Sequence, residues 1–297
     1  MKRITLALAT FAAFAIVPVA VADTTVPFPS SNVGDVFVSA QTVTADGAIA
    51  NFFAPGSSVT FRAYAVDGKT HRVVTNKTYK YFYVKIPNQP NVKLACTPTS
   101  KVASGLYTWT GTWTVPANYP PGVVPFKVLV KTKAKRIGSF VQMPVVTSQL
   151  TISTNPQIPS GPGPAGGAAP SGKVSTVIYA DSVNGTRPAG AAPRPIGCTQ
   201  TNVFKRGEQY VQRAWGFDLT TKEVLSIDNV TEAHFSVPGV PNITLNWGSH
   251  GPQKVFFWTN FWNIPASYPL GNTTVHITYT LTSGAVATLD YPIVITP

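Results

Sequence analysis

Tyr79, Tyr81, Tyr83 and Lys85 occupy every second position of one short segment, and Lys127, Lys131, Lys133, Lys135 and Arg136 crowd a later one. A spacing of two puts side chains on one face of a β-strand. Phenol rings offer flat stacking area with a polar tip, and lysine ammonium groups attract negative charge without demanding a fixed geometry. If the two segments share a sheet, these side chains form a single face suited to an anionic polysaccharide or an acidic protein surface. The bland alternative is a solvated sheet, because tyrosine is a favoured strand residue and edge lysines deter aggregation.

Other chemistry is sparse. The histidines are His71, His234, His250 and His276. His234, His276 and Glu232 fall on expected outward positions and would hold a divalent ion only if their strands were neighbours, yet nothing in their spacing is diagnostic of a metal site. Cys96 and Cys198 are followed by neither histidine nor methionine at blue-copper spacing, and no CxxCH haem motif occurs. There is no nucleophile elbow, and the acidic residues are too scattered to nominate a carboxylate pair. The expectation is a protein that is not an enzyme and that carries no cofactor and no metal.

The elements that position these residues come in two sets. Residues 61–67 (FRAYAVD) match 212–218 (QRAWGFD), and 107–116 (YTWTGTWTVP) match 256–265 (FFWTNFWNIP). Self-similarity of this length marks a duplicated unit. Within each copy the apolar period is two: Phe82, Val84 and Ile86 alternate with Tyr81, Tyr83 and Lys85, and Val128 and Val130 alternate with Lys127, Leu129 and Lys131. About seven such strands per copy, separated by turn residues, predict a two-sheet sandwich. Residues kept in both copies belong to the shared fold, so Trp109/Trp258 and Trp113/Trp262 are expected in the cores. Arg62/Arg213 and Asp67/Asp218 are expected to form structural pairs, and Tyr119/Tyr268 to tie down a turn.

The first 22 residues read as a signal peptide: Lys2 and Arg3, an apolar run from Ile4 to Val17, then Ala20-Val21-Ala22. Residues 32–153 form the first predicted domain, 154–173 a Pro/Gly-rich linker containing SGPGPAGGAAPSG, and 174–297 the second domain. The expected location is bacterial, periplasmic or extracellular, with no membrane span after cleavage. Cys96 and Cys198, one per copy, bridge the domains, pair between molecules or remain thiols.

Of the charge giving a net +12, thirteen lysines and arginines between residues 23 and 160 face four acidic residues, whereas eight face seven from residue 161 onward. The basic field therefore belongs to the first copy and attracts anionic polymers without specifying one. Export removes the chain from most nucleic acid and no nucleic-acid motif is present, so that partner is set aside.

Residues 109–122 (WTGTWTVPANYPPG) and their second copy resemble a strand-and-turn motif of the immunoglobulin-like and fibronectin-III-like modules of bacterial exported proteins. The resemblance implies an all-β chain of two tandem immunoglobulin-like β-sandwich domains related by internal duplication. It also implies a binding, spacing or accessory role, either as an adhesion module or as a subunit of a larger envelope complex. Pilus-type periplasmic chaperones share the basic charge and the two domains, but their halves meet rigidly. The long Gly/Pro linker argues against that class.

Overall fold

The computed structural model describes residues 35–98, 107–156, 159, 161–164, 173–186, 194, 196–251 and 254–297. The expected signal peptide and most of the Gly/Pro segment lie outside them. The regular secondary structure of the described residues is β apart from one short helical turn at Val146–Ser148, and no helix among them is long and apolar enough to cross a membrane.

Between Val36 and Ile152 the strands form three sheets. One orders Val36–Val43, Ser58–Asp67, Tyr107–Thr114 and Ala95–Pro98, with Arg72–Val73 added to the second of these. The next orders Ile137–Val141, Lys127–Thr132, Tyr79–Lys85 and Val92–Lys93, and a small one joins Phe52–Phe53, Thr151–Ile152 and Gly122–Val123. From Thr176 onward, one sheet orders Thr176–Asn184, Gln209–Asp218, Val255–Asn263 and Asn246–His250, with Val224–Leu225 added. The other orders Val203–Lys205, Val286–Thr296, Gly271–Leu281, Val230–Val237 and Val240–Thr244.

Corresponding residues make corresponding bonds. The Trp109 indole donates to the Val74 carbonyl (3.1 Å) and the Trp258 indole to that of Leu225 (2.7 Å). Gly56, at φ 82°, donates to Val115, and Gly207, at φ 80°, to Ile264; only glycine enters that left-handed region without strain. Tyr119 stands edge-on to Trp113 and Tyr268 edge-on to Trp262, with the Tyr268 hydroxyl donating to Pro238 across the turn. All four tryptophans are buried.

Two expectations need correction. Arg62 does not pair with Asp67, nor Arg213 with Asp218. Each arginine sits five positions before its aspartate, and an odd separation sends side chains to opposite faces of a strand. Arg62 instead reaches Gln41 (3.3 Å), and Arg213 grips Asp181 with two bonds of 2.6 and 2.8 Å. The aspartates accept turn amides: Asp67 from Lys69 and Thr70, Asp218 from Thr220 and Thr221.

The second correction concerns the linker, because the halves are not held apart. Val177, Tyr179, Trp215, Leu219 and Phe257 belong to the same apolar cluster as Trp109 and Phe82. The Tyr64 hydroxyl donates to the Ile178 carbonyl (2.8 Å), and Phe140 packs against Tyr179 with centroids 5.7 Å apart. The cause is local. Strands Val36–Val43 and Thr176–Asn184 are buried almost without alternation, so each has a second face, with Phe37 and Val43 in one and Val177, Tyr179 and Val183 in the other, whose apolar side chains water would otherwise contact. Since the halves share a core, the connector does not distinguish this chain from two-domain folds with packed halves.

His250 lies on this sheet, stacked on Phe257 at 4.2 Å and 19°. Burial, and after it the Arg213 charge, holds its pKa below the ordinary histidine value. A folded-state pKa below the unfolded one means that stability is complete above about pH 6.5 and declines as pH falls through that value. In urea titrations, the loss between pH 7 and pH 5 is expected to be smaller for His250→Gln than for the unmodified chain. Equal losses would show that His250 does not contribute.

Candidate binding face

Strands Tyr79–Lys85 and Lys127–Thr132 are antiparallel neighbours, so the sheet brings the two predicted rows together. The register sets Lys85 opposite Lys127, Tyr83 opposite Leu129 and Tyr81 opposite Lys131. Phe82, Val84, Val128 and Val130 point the other way into the core. Tyr81 and Tyr83 are partly exposed with ring centroids 5.3 Å apart, and Lys85 is exposed. Lys133 and Lys135 are exposed in the turn that follows, with Lys135 at φ 67°.

Tyr79 and Arg136 do not join this face as expected. The register shifts between Lys131 and Thr132, making Lys80 the extra residue of a bulge and turning Tyr79 inward. Tyr79 packs on Trp109 with centroids 4.5 Å apart. Arg136 folds back to Asp67, donating from Nε at 2.7 Å and from a terminal nitrogen as well. Its charge is committed to closing the strand end.

Lys93 joins the face without having been singled out. It is exposed and pairs directly with Tyr83 across the sheet. Its strand, Val92–Lys93, has two residues, too few to display a period. The available signal was Val92 and Leu94 flanking it, with Leu94 buried.

The charge arrangement is unbalanced. No carboxylate stands opposite Lys85, Lys93, Lys127 or Lys131 in the strand register. Lys85 and Lys127 face each other directly, and like charges opposed across a sheet destabilise it by about 0.2–1 kcal/mol. The matching strand of the second half carries Glu232, His234 and Ser236 instead.

His234 and His276 do lie on neighbouring strands, but the register pairs them with Thr278 and Ser236, while His276 contacts Asp290 at 2.7 Å. Among the described residues no group of three His, Cys, Asp or Glu is placed to hold a metal. Cys96 and Cys198 are free thiols.

Compared in sequence, no protein-family model and no curated protein matches the chain. Among solved structures, fibronectin(III)-like modules of Clostridium thermocellum CbhA are similar at 11% identity over 88% of this chain and 94% of that chain, with a TM-score of 0.24. Bacteroides ovatus SGBP-B, from a mixed-linkage glucan utilization locus and in complex with a mixed-linkage heptasaccharide, is similar at 7% identity over 88% of this chain and 61% of that one, with a TM-score of 0.18. BcpA, the major pilin subunit of Bacillus cereus, is similar at 10% identity over 86% and 66%, with a TM-score of 0.20. These similarities assign neither a ligand nor an activity to this chain.

Proposed function

We propose that this chain is an exported, non-catalytic binding module made of two copies of one immunoglobulin-like sandwich, and that its first copy takes an anionic polymer. The observation that carries the reading is the Lys85/Lys127 pair, flanked by the Tyr81/Tyr83 rings and by Lys93 and Lys131, with no carboxylate opposite in the register. An anion laid along the strands relieves the lysine repulsion, while sugar rings stack on the tyrosines. Lys133 and Lys135 extend the field beyond the strand end.

A polyuronate titrated across a salt series tests this. The double variant Lys85→Gln/Lys127→Gln is expected to bind about tenfold more weakly, roughly 1.4 kcal/mol, and with a shallower salt dependence. Unchanged affinity and unchanged salt dependence would overturn the proposal.

The second reading is an accessory subunit of an envelope complex. It is favoured by the exposed apolar side chains of the second half, Ile227 (66% exposed), Phe256 (52%) and Phe261 (50%). Recovery of one stoichiometric protein with the full chain, lost on Phe256→Ser/Phe261→Ser, would support this reading.

A further inference from the structure

Asn51 and Asn202 occupy the same place in their respective halves. The Asn51 carbonyl accepts from Thr151 (2.7 Å) and the Asn202 carbonyl from Val294 (2.8 Å), each joining the last strand of its half. Two residues earlier, Ile49 forms an isolated bridge with Val43, and Gln200 forms one with Val183. Both asparagines then reach across to the other half. The Ile49 amide donates to Asn202 Oδ1 (2.8 Å), and the Gln200 amide donates to Asn51 Oδ1 (2.9 Å). Residue i of one half thus meets residue j of the other, while the counterpart of j meets the counterpart of i. That reciprocity defines an isologous contact, the kind by which identical subunits form a closed dimer.

The surrounding surfaces obey the same relation. Strand Val36–Val43 with Ser58–Asp67 corresponds to Thr176–Asn184 with Gln209–Asp218, and the outward faces of both pairs are buried between the halves. Gln41 and Asp181 hold corresponding positions, each directly opposite its arginine, Arg62 or Arg213. Gln41 Nε2 crosses to the Ala180 carbonyl (3.2 Å).

The connection between the halves is covalently short for its path. Gly163 donates to the Asp46 carbonyl, in the turn that follows Val43, whereas Lys173 bridges Arg72 near the Val36 end of the same strand. These anchors are separated by about the length of an eight-residue strand, roughly 23 Å. Residues 164–172 join them, and ten peptide steps reach at most about 35 Å.

We propose that the interface between the halves is a self-complementary docking surface whose alternative partner is a second copy of this chain, the two chains exchanging halves. The first half of one molecule then pairs with the second half of another through the contacts already present within one molecule. The tether keeps the native chain closed, because it holds the mate at an effective concentration on the order of millimolar. Removing that reach removes the preference.

Deleting residues 165–172 from the full chain is the direct test. The closed arrangement can no longer form, and the variant is expected to run at twice the chain mass in sedimentation, with an unchanged far-UV spectrum. A folded monomer would overturn the proposal. As a second measurement that does not depend on the deletion folding, the unmodified chain is refolded from denaturant with a larger tagged copy near millimolar concentration. A tagged–untagged particle is expected, on the order of a tenth of the protein or more, and it should survive dilution until denaturant is added. Exclusively unmixed monomers, or a hybrid that dissociates on simple dilution, would overturn the proposal.

Discussion

Asp181→Ala is expected to lower the unfolding free energy by about 3–5 kcal/mol, because it leaves the Arg213 guanidinium buried without a counter-charge. Both partners are almost fully enclosed, with side chains 0% and 4% exposed. Asp181 also accepts from Gln200 (2.9 Å) and from the Tyr179 hydroxyl (3.1 Å), so the substitution strands three donors at once. With total stability for a protein of this kind about 5–15 kcal/mol, the loss is a large fraction of the whole. Urea midpoints at constant slope measure it. Replacing both partners, as in Asp181→Leu/Arg213→Met, should recover part of the deficit, since it removes the stranded charge together with its mate but leaves the Gln200 and Tyr179 donors without Asp181. The corresponding pair with an uncharged acceptor sets the contrast: Gln41→Ala loses bonds to Arg62 (3.3 Å) and to the Ala180 carbonyl (3.2 Å) but removes no counter-charge, and should cost only about 1–3 kcal/mol. Equal losses at the two positions would refute the argument from buried charge.

Trp258→Ala is expected to cost about 3–5 kcal/mol, and Trp109→Ala a similar amount. Each ring is buried between the two sheets of its half, and each indole satisfies a loop carbonyl, Leu225 or Val74. Trp258→Phe should cost less, about 1–3 kcal/mol, chiefly from the buried carbonyl left without a donor. The two alanine variants lie in different halves and in different apolar clusters, yet both should displace one common unfolding transition. The reason is the shared core: Tyr179, Trp215 and Phe257 pack with the first half, and Val43 and Ile49 with the second. Two separate transitions, each sensitive to one tryptophan, would show that the halves fold independently.

The candidate face was legible to the extent that its strands were. Tyr81, Tyr83, Lys85, Lys127 and Lys131 alternate with apolar residues over several positions, and that pattern fixes which side chains leave the core. It failed at the strand ends. A bulge inserts a residue without any mark in the alternation, so Tyr79 turned inward. Arg136 reads as one more basic residue until Asp67, 69 positions earlier, is placed beside it. Lys93 escaped for the opposite reason, since a two-residue strand carries no period and only the flanking Val92 and Leu94 marked it.

Composition and alternation by themselves determined that the chain is all-β, where its core tryptophans sit and that its basic charge gathers in the first half. These properties depend on neighbours along the chain, where a period of two and a turn residue are enough. The meeting of the halves was decided only in three dimensions. Sequence shows a Gly/Pro stretch and two similar units, and nothing in either states that one unit's outer face fits the other's. The apolar runs at residues 36–38 and 177–180 were the one local sign, because a strand buried on both faces loses its alternation. What such a strand packs against is set by shape and by paired groups such as Asn51 and Asn202, whose amide partners lie about 150 residues away in the chain.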